Sequence, residues 1–358
     1  MNATLTNAAD PAVRQSGIGG SDCAAICGLN RWKAPLDVYL DKRGLAEELD
    51  SEPAEWGQIL EPVILRQYAI RRKVWVLGRA EHGEAVVWSP EGNVTAARPD
   101  LVYLLDTQRD PGRPWRMCHP DGYALARYGP GEAFNPIRII EGKTTSAFRG
   151  GEWGDDETDD VPEEYLVQCI HISGVIGAGS GLFLPVDIPV LIGGQKFRVY
   201  TVDYRRTLDA KLIEIEGAFW RATQDGEPPP ATPDERGKRG LSRMFPADDG
   251  EERVIGPDTP LHEAMLELRD AKAELAEAEE RKAEKENTVK EAMGTASKLV
   301  GDGFSVTWKK TKDGLKTDWE AAFRWAARSL PESAVASAID EHTTMKPGYR
   351  VFRPTFKE

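Results

Sequence analysis

Hydrophobic and polar positions follow two patterns along the 358 residues of this chain. Apolar positions at helical spacing predict one helix within 53–73 and another at 162–177. Pro62 is expected to cause a kink or a helix start near Glu61. Short apolar runs bounded by Gly, Pro or charged residues predict strands at 84–89, 121–128, 137–144, 180–188 and 196–204. This mixture, over residues 1 to about 225, is typical of an α/β or α+β domain.

The pattern changes near residue 226, where proline and charge replace apolar positions. We therefore expect a main domain at 1–230, a linker at 231–260 and an accessory module at 261–358 that holds no catalytic group. Residues 261–293 predict a long charged helix with a narrow apolar stripe. This pattern is typical of a solvated helix or a helical hairpin, and an oligomerising coiled coil is the alternative. A helix at 318–330, between strands at 304–311 and 349–356, is expected to complete the module.

Composition limits where function can lie. The chain has 46 Lys and Arg against 59 Asp and Glu, a formal net charge of −13, so any contact with nucleic acid must be local. Its 4 cysteines show neither paired CxxC elements nor the spacing of a secreted disulfide scaffold. No apolar run of membrane-spanning length occurs, and the first residues lack the basic start and apolar stretch of a signal peptide. We expect a reduced, cytoplasmic setting.

The most informative stretch is HPDGYALARYGPGEAFNPIRIIEGKTT. Asp121 opens one predicted strand, and Glu141 and Lys143 lie two residues apart on the next. Side chains two apart on a strand share a face, so an adjacent strand can bring Asp121 beside them. Carboxylates that hold Mg²⁺, with an ammonium that positions water or offsets charge on phosphate, are what phosphodiester hydrolysis needs. The spacing resembles the D…ExK pattern of PD-(D/E)XK nucleases.

A bare pattern of this kind also arises from solvated strand ends. The apolar run at 137–140 before Glu141 instead favours a buried strand, on which polar residues need a function. Asp100, in RPDLVY, is a competing candidate for the metal-binding aspartate. We prefer Asp121 because a glycine and a strand that leads towards Glu141 follow it directly.

Five motifs in a fixed order carry a wider resemblance: GIGGSDCAAICGLNRWKAPLDVYLDKRG, WGQILEPVI, HPDG, IEGKT and YLVQ. Over residues 14 to 205 the chain resembles the YqaJ-like viral recombinase family, which includes phage lambda-type exonucleases. The resemblance implies a PD-(D/E)XK restriction-endonuclease-like core, with a mixed central sheet flanked by helices. The segment after the core is then a helical C-terminal extension.

The resemblance also implies roles for individual residues. The metal ligands are Asp121 and Glu141, the catalytic lysine is Lys143, and Glu61 acts on a second metal through water. The Y-x-x-Q element of the family falls on Tyr165 and Gln168.

A pocket for a 5′-phosphate is implied at Arg14, Ser21 and Arg149. His119 stands where the lambda enzyme has a serine of this pocket. Histidine can also donate to a phosphate.

The implied activity is a Mg²⁺-dependent exonuclease, with Mn²⁺ as an alternative, that degrades linear double-stranded DNA from 5′ ends. It leaves 3′ overhangs for a single-strand annealing protein, and a trimeric ring is the implied assembly. An endonuclease or nickase on the same fold stays open, because the metal site does not fix whether a DNA end is required. A non-catalytic DNA-binding assembly factor is the alternative from another class.

Overall fold

The computed structural model describes residues 11–45, 52–346 and Gly348. It divides the chain into two units, Met1–Pro246 and Ala247–Glu358. Among the described residues, no helix combines the length and the apolar character needed to cross a bilayer. The predicted strand at 349–356 lies outside the described residues.

Glycine residues set the ends of some helices in the first unit. Two of them end at glycines in the left-handed region, Gly181 with φ 75° and Gly226 with φ 79°, where a side chain would be strained. The long helix begins at Glu52 and continues through Pro62, so the expected helix start near Glu61 is wrong. The helices are α1 (Pro11–Gln15), α2 (Gly20–Ile26), α3 (Pro35–Lys42), α4 (Glu52–Arg72), α5 (Glu163–Ser180), α6 (Arg206–Asp225) and α7 (Glu235–Met244).

The strands of the first unit are β1 (Trp75–Arg79), β2 (Ala85–Trp88), β3 (Val94–Ala96), β4 (Gln108–Asp110), β5 (Arg113–Cys118), β6 (Gly122–Leu125), β7 (Pro136–Ile140), β8 (Lys143–Thr145), β9 (Val186–Ile192) and β10 (Lys196–Val202). One sheet has the order β10-β9-β7-β6-β1-β2-β3, with β8 also paired to β9. Strand β9 runs parallel to β7 and β8, and the other neighbours are antiparallel. Because parallel neighbours need a crossover, α5 connects β8 to β9. The sheet is mixed, as predicted.

Helices cover both faces of this sheet. Successive strand residues point to opposite faces, so Val76 and Ile140 pack with α4 residues such as Leu65, whereas Leu77 and Ile139 pack with buried α5 residues. Both faces of the central strands are therefore apolar. The predicted α/β class with a mixed central sheet between helices is confirmed.

A buried ionic network joins β5, α5 and α6. Arg116 donates from Nε to Glu216 Oε2 at 2.8 Å and from Nη2 to Asp209 Oδ1 at 2.5 Å. His171 lies 2.7 Å from Glu216 Oε1 through Nδ1, and its Nε2 lies 2.8 Å from the carbonyl oxygen of Met117. Burial alone would raise the pKa of Glu216, but its contacts with His171 and Arg116 outweigh burial and lower that pKa to about 2. Glu216 is thus a buried carboxylate held in its charged form.

The division between the units differs from the predicted linker at 231–260. Helix α7 lies inside that range and packs on α3. Arg239 and Arg243 donate to the buried carboxylate of Asp37 at 3.1 and 3.0 Å, and Arg243 also donates to the carbonyl of Leu45 at 2.6 Å. The charges that indicated a solvated linker are therefore the groups that hold α7 on the first unit.

The second unit contains α8 (Pro260–Met293), β11 (Lys298–Gly301), β12 (Phe304–Thr307), α9 (Trp319–Ala327) and α10 (Glu332–Glu341). The predicted long helix is confirmed as α8, and most of its surface is exposed. Strands β11 and β12 pair as an antiparallel hairpin.

Candidate active site

Acidic and basic side chains from α4, β6, β7 and β8 meet in a cavity of about 250 Å³. Its polar lining includes Glu61, Asp121, Glu141 and Lys143. Glu61 lies in the middle of α4, Asp121 directly precedes β6, and Glu141 directly follows β7. The antiparallel register pairs residue 122 with residue 140, so the two strand-end carboxylates are neighbours. The structure brings together the groups that the sequence singled out for catalysis.

Two glycines make this close approach feasible. A Cβ on Gly122 would lie 2.6 Å from the carbonyl oxygen of Leu77, so only glycine allows β1 to approach the strand that begins after Asp121. Gly142 donates its backbone N–H to Asp121 Oδ2 at 2.8 Å. A Cβ on Gly142 would lie within about 4 Å of both Asp121 and Glu61. Gly142 therefore sits between the two carboxylates and orients one of them.

Glu141 is the most constrained carboxylate of the site. Its Oε1 accepts hydrogen bonds from Lys143 Nζ at 2.7 Å and from Gln168 Nε2, on α5, at 2.6 Å. Its backbone N–H donates to the carbonyl of Asp187 at 3.0 Å, which fixes the chain beside β9. Its Oε2 is buried and has no hydrogen-bond partner among the described residues. A buried carboxylate oxygen without a partner is costly unless another group binds there.

The pKa values reflect excess negative charge. Burial and the nearby Glu141 raise the pKa of Glu61 to about 7. Burial, followed by the charges of Glu141 and Glu61, raises the pKa of Asp121 well above its ordinary value. Burial opposes the charge on Lys143, but Glu141 and Asp121 outweigh it and raise the pKa of this lysine. Three carboxylates face one ammonium, so a further positive charge would relieve the repulsion.

The donor set suits a divalent cation that prefers oxygen ligands. Asp121, Glu141 and Glu61 supply carboxylate oxygens, and Glu141 Oε2 is the buried atom that lacks a partner among the described residues. Oxygen ligands of this kind suit Mg²⁺ or Mn²⁺.

A larger cavity of about 830 Å³ shares the same carboxylates and extends towards α1 and α2. Arg14, Ser21 and His119, for which the resemblance implies a phosphate pocket, line it. Lys42 and Arg79 also line it, and no local pattern in the sequence indicated either residue. Several cationic or donor groups therefore lie beside the carboxylate cluster.

Lys42 supports the Arg14 side of this cavity. Its Nζ donates to the backbone carbonyl of Arg14 at 2.7 Å and to Asp22 Oδ2 at 2.5 Å. Burial alone would raise the pKa of Asp22, but Lys42 and Lys33 outweigh burial and hold that pKa well below its ordinary value. The salt bridge therefore ties α1, α2 and α3 together around Arg14.

Arg79, in the lining of the same cavity, is held by three contacts. Its guanidinium donates to the carbonyls of Gly83 and Leu105 at 3.0 and 3.2 Å and to Asp106 Oδ1 at 2.7 Å. Burial and the charge of Arg79 lower the pKa of His119. A neutral imidazole is thereby favoured next to the carboxylates.

Residues 11–178 match the model of the YqaJ-like viral recombinase domain. This match covers just under half of the chain and shows a similarity to that family. The uncharacterized protein YqaJ of Bacillus subtilis (strain 168) is 30% identical over 220 residues, which cover 61% of this chain and 56% of that protein. The chain thus spans little more than half the length of this curated relative.

Solved structures show a more distant likeness. The alkaline exonuclease LHK-Exo of Laribacter hongkongensis has 12% identity and a TM-score of 0.38, over 65% of this chain and 97% of that one. The structure of LHK-Exo in complex with dAMP has 13% identity, the same TM-score and the same coverage of both chains.

Two of the predicted site residues lie off the lining of both cavities. Arg149 donates to Glu152 at 2.8 Å and to Glu164 at 3.0 Å, and these contacts raise its pKa. Tyr165 stacks on Trp153 and places its ring 5.4 Å from Lys143 Nζ. The ring of Tyr165 therefore lies against Lys143 without lining either cavity, and Arg149 is bound by acidic side chains.

The competing aspartate occupies a different place. Asp100 lies in a 3-10 helix, Pro99–Leu105, and binds Arg98 at 2.9 Å, with 64% of its side chain exposed. It is absent from the lining of both cavities. Asp121, by contrast, lies among the other carboxylates.

The sequence missed a contact that fixes α4. Tyr68, two helical turns after Glu61, donates its hydroxyl to Asp187 Oδ2 at 2.5 Å. Thr201 donates to the other oxygen of Asp187 at 2.8 Å. The bond from Tyr68 joins the helix of Glu61 to β9, beside Glu141. Tyr68 and Asp187 are 119 positions apart, so no local spacing could reveal this bond.

Proposed function

We propose that this chain is a metal-dependent deoxyribonuclease that degrades linear double-stranded DNA from its 5′ ends and leaves 3′ single strands. The observation that carries the proposal is the buried Glu141 carboxylate, with one oxygen bound by Lys143 and Gln168 and the other directed to no described partner. The similarity of residues 11–178 to the YqaJ-like viral recombinase domain supports the same activity.

In this proposal Asp121 and Glu141 hold Mg²⁺, with Mn²⁺ as an alternative, and Glu61 acts through water. The cation supplies Lewis acidity towards the scissile phosphate and makes bound water more acidic. Lys143 orients the attacking water or offsets charge that develops on the phosphate. Gln168 holds the Glu141 carboxylate in its orientation. Burial of the cluster strengthens each of these interactions because little water screens them.

End recognition belongs to the larger cavity. Arg14, Ser21 and His119 bind the 5′-phosphate in this proposal, and Lys42 and Arg79 add positive charge to the same lining. Arg149 joins this set only after exchanging Glu152 and Glu164 for phosphate. A ring-shaped homo-oligomer around the duplex and a single-strand annealing protein as partner complete the proposal.

The decisive experiment compares digestion of linear 5′-phosphorylated duplex and closed circular DNA, each with Mg²⁺ and with EDTA. We expect loss of the linear DNA alone, and only with Mg²⁺. Lys143→Ala should slow the digestion of linear DNA at least about 100-fold, since about 3 kcal/mol of transition-state stabilisation is lost. Lys196→Ala, at an exposed lysine of β10, is the matched control. Cleavage of circular DNA would assign an endonuclease, and cleavage in EDTA would refute the metal dependence.

A further inference from the structure

The second unit presents an apolar groove between the end of α8 and β12. The cavity has a volume of about 410 Å³. Its apolar lining comes from Val289, Met293, Val306 and Trp308. Lysines from α8 line the same groove: Lys282, Lys285 and Lys290. The groove thus combines an apolar floor with cationic side chains.

Trp308 presents an exposed aromatic surface in this groove. It directly follows β12, and its backbone N–H donates to the carbonyl of Ser297 at 3.2 Å, which holds it beside the hairpin. The side chain is nevertheless 51% exposed. Phe304, at the start of β12, is 66% exposed. Aromatic rings left exposed on a hairpin are suited to stack on planar ligands.

Charge is distributed unevenly along this unit. Residues 281–316 hold nine Lys or Arg and five Asp or Glu, a formal net charge of +4 in a chain of net charge −13. Residues 260–280, the first part of α8, hold two basic and seven acidic residues, a net charge of −5. The positive charge is therefore local to the groove and to the lysines that follow Trp308, namely Lys309, Lys310 and Lys312.

The acidic neighbours of these lysines do not neutralise the surface. Glu286 lies between Lys282 and Lys290, 3.6 and 3.4 Å from their ammonium groups. Lys285 pairs with Glu284 at 2.7 Å. These pairs lie on an exposed helix, where an ion pair contributes little to stability. A polyanion with several phosphates can therefore displace them.

We propose that this groove binds single-stranded DNA. A base stacks on Trp308, and the phosphates of the same strand contact the lysines of α8 and of residues 309–312. Unpaired bases expose the flat faces that an apolar, aromatic groove requires, whereas a duplex buries them. The extent of the positive surface beyond the groove fits an extended strand. This inference rests on the proposed function for the origin of the strand, which is the 3′ overhang left by digestion.

The test measures fluorescence anisotropy of labelled oligothymidylate with the full-length protein in EDTA, where no cleavage occurs. Trp308→Ala should weaken binding about 10-fold or more, and Trp308→Phe should restore most of the affinity. Trp319→Ala is the matched control, because Trp319 is 78% exposed on α9, outside the groove lining. Lys282→Ala with Lys285→Ala should reduce the slope of log affinity against log salt by about 0.7 for each phosphate that the variant no longer neutralises. Arg269→Ala, in the acidic part of α8, should leave the slope unchanged.

Wild-type affinity in Trp308→Ala, with circular dichroism showing an intact fold, would overturn the inference. An unchanged salt dependence in the lysine variant would do the same. An acidic, aromatic peptide that binds only when Trp308 is present, while oligothymidylate binds regardless, would assign the groove to a protein partner instead. Because the assay needs no cleavage, its result is independent of whether the first unit is a nuclease.

Discussion

Glu61→Gln should stabilise the metal-free protein at neutral and alkaline pH. Burial and the charge of Glu141 raise the pKa of Glu61 from 4.5 to about 7. One pH unit corresponds to about 1.4 kcal/mol, so the charged form costs the folded state about 3 kcal/mol. The folded state binds this proton more tightly than the unfolded state. Stability is therefore retained below pH 4.5 and falls as the pH rises to about 7.

Urea denaturation in EDTA across this pH range measures the effect. The free energy of unfolding of Glu61→Gln, relative to the wild type, should be near zero at the acidic end and should favour the variant by about 3 kcal/mol above pH 7. Glu55→Gln, at an exposed position of the same helix, should show no such rise. A wild type that is more stable than Glu61→Gln at alkaline pH in EDTA would refute the electrostatic account of the site.

Magnesium gives the reciprocal measurement. A cation that neutralises the cluster should stabilise the wild type, by an amount that grows with the ratio of free cation to its dissociation constant. Glu61→Gln should gain less stability from Mg²⁺ and should digest DNA more slowly. Equal stabilisation of both proteins by Mg²⁺ would show that Glu61 does not contribute to cation binding.

Three other measurements test separate parts of the molecule. Glu216 should have the opposite pH dependence, because its pKa is lowered from 4.5 to about 2. Its contribution of about 3 kcal/mol to the free energy of unfolding is present above pH 4.5 and is lost as the pH falls to about 2. In Glu216→Gln, the free energy of unfolding should therefore fall less steeply at acidic pH than in the wild type. Arg14→Ala should slow digestion of 5′-phosphorylated ends about 10-fold more than of 5′-hydroxyl ends, and equal slowing would exclude it from end recognition. A chain ending at Pro246 should keep metal-dependent cleavage and lose the oligothymidylate binding assigned to Trp308; a metal-inert product would place essential groups in the second unit.

The parts of the site that sequence reasoning could find are those set by short spacing. Glu141 and Lys143 are two residues apart, and they meet at 2.7 Å although Glu141 and Gly142 both lie between β7 and β8. The apolar run before Glu141 and the glycine after Asp121 both indicate the conformation of the chain next to these carboxylates. Such signals lie within a few residues of the groups that they position.

Contacts between distant segments are not visible in this way. The bond from Tyr68 to Asp187 joins residues 119 positions apart, and Arg243 binds Asp37 across 206 positions. The resemblance places Arg149 in the phosphate pocket, but Glu164, 15 residues later, binds it. The polar composition of α7 predicts a linker. The prediction fails because the arginines of α7 pair with aspartates on α3, far away in the sequence. In each case the place of the side chain depends on its partner, and the residues around it in the sequence do not reveal that partner.

The contact between α3 and α7 has a consequence for synthesis on the ribosome. Asp37 leaves the ribosome before the strands of the sheet, whereas Arg239 and Arg243 follow about 200 residues after it. Until then a carboxylate that is buried in the finished protein has neither arginine beside it, which disfavours its burial. We therefore expect α3, which carries Asp37, to complete its docking only after α7 has been translated. Because Lys42 of α3 also binds the carbonyl of Arg14, the larger cavity would be completed after the carboxylate cluster has formed.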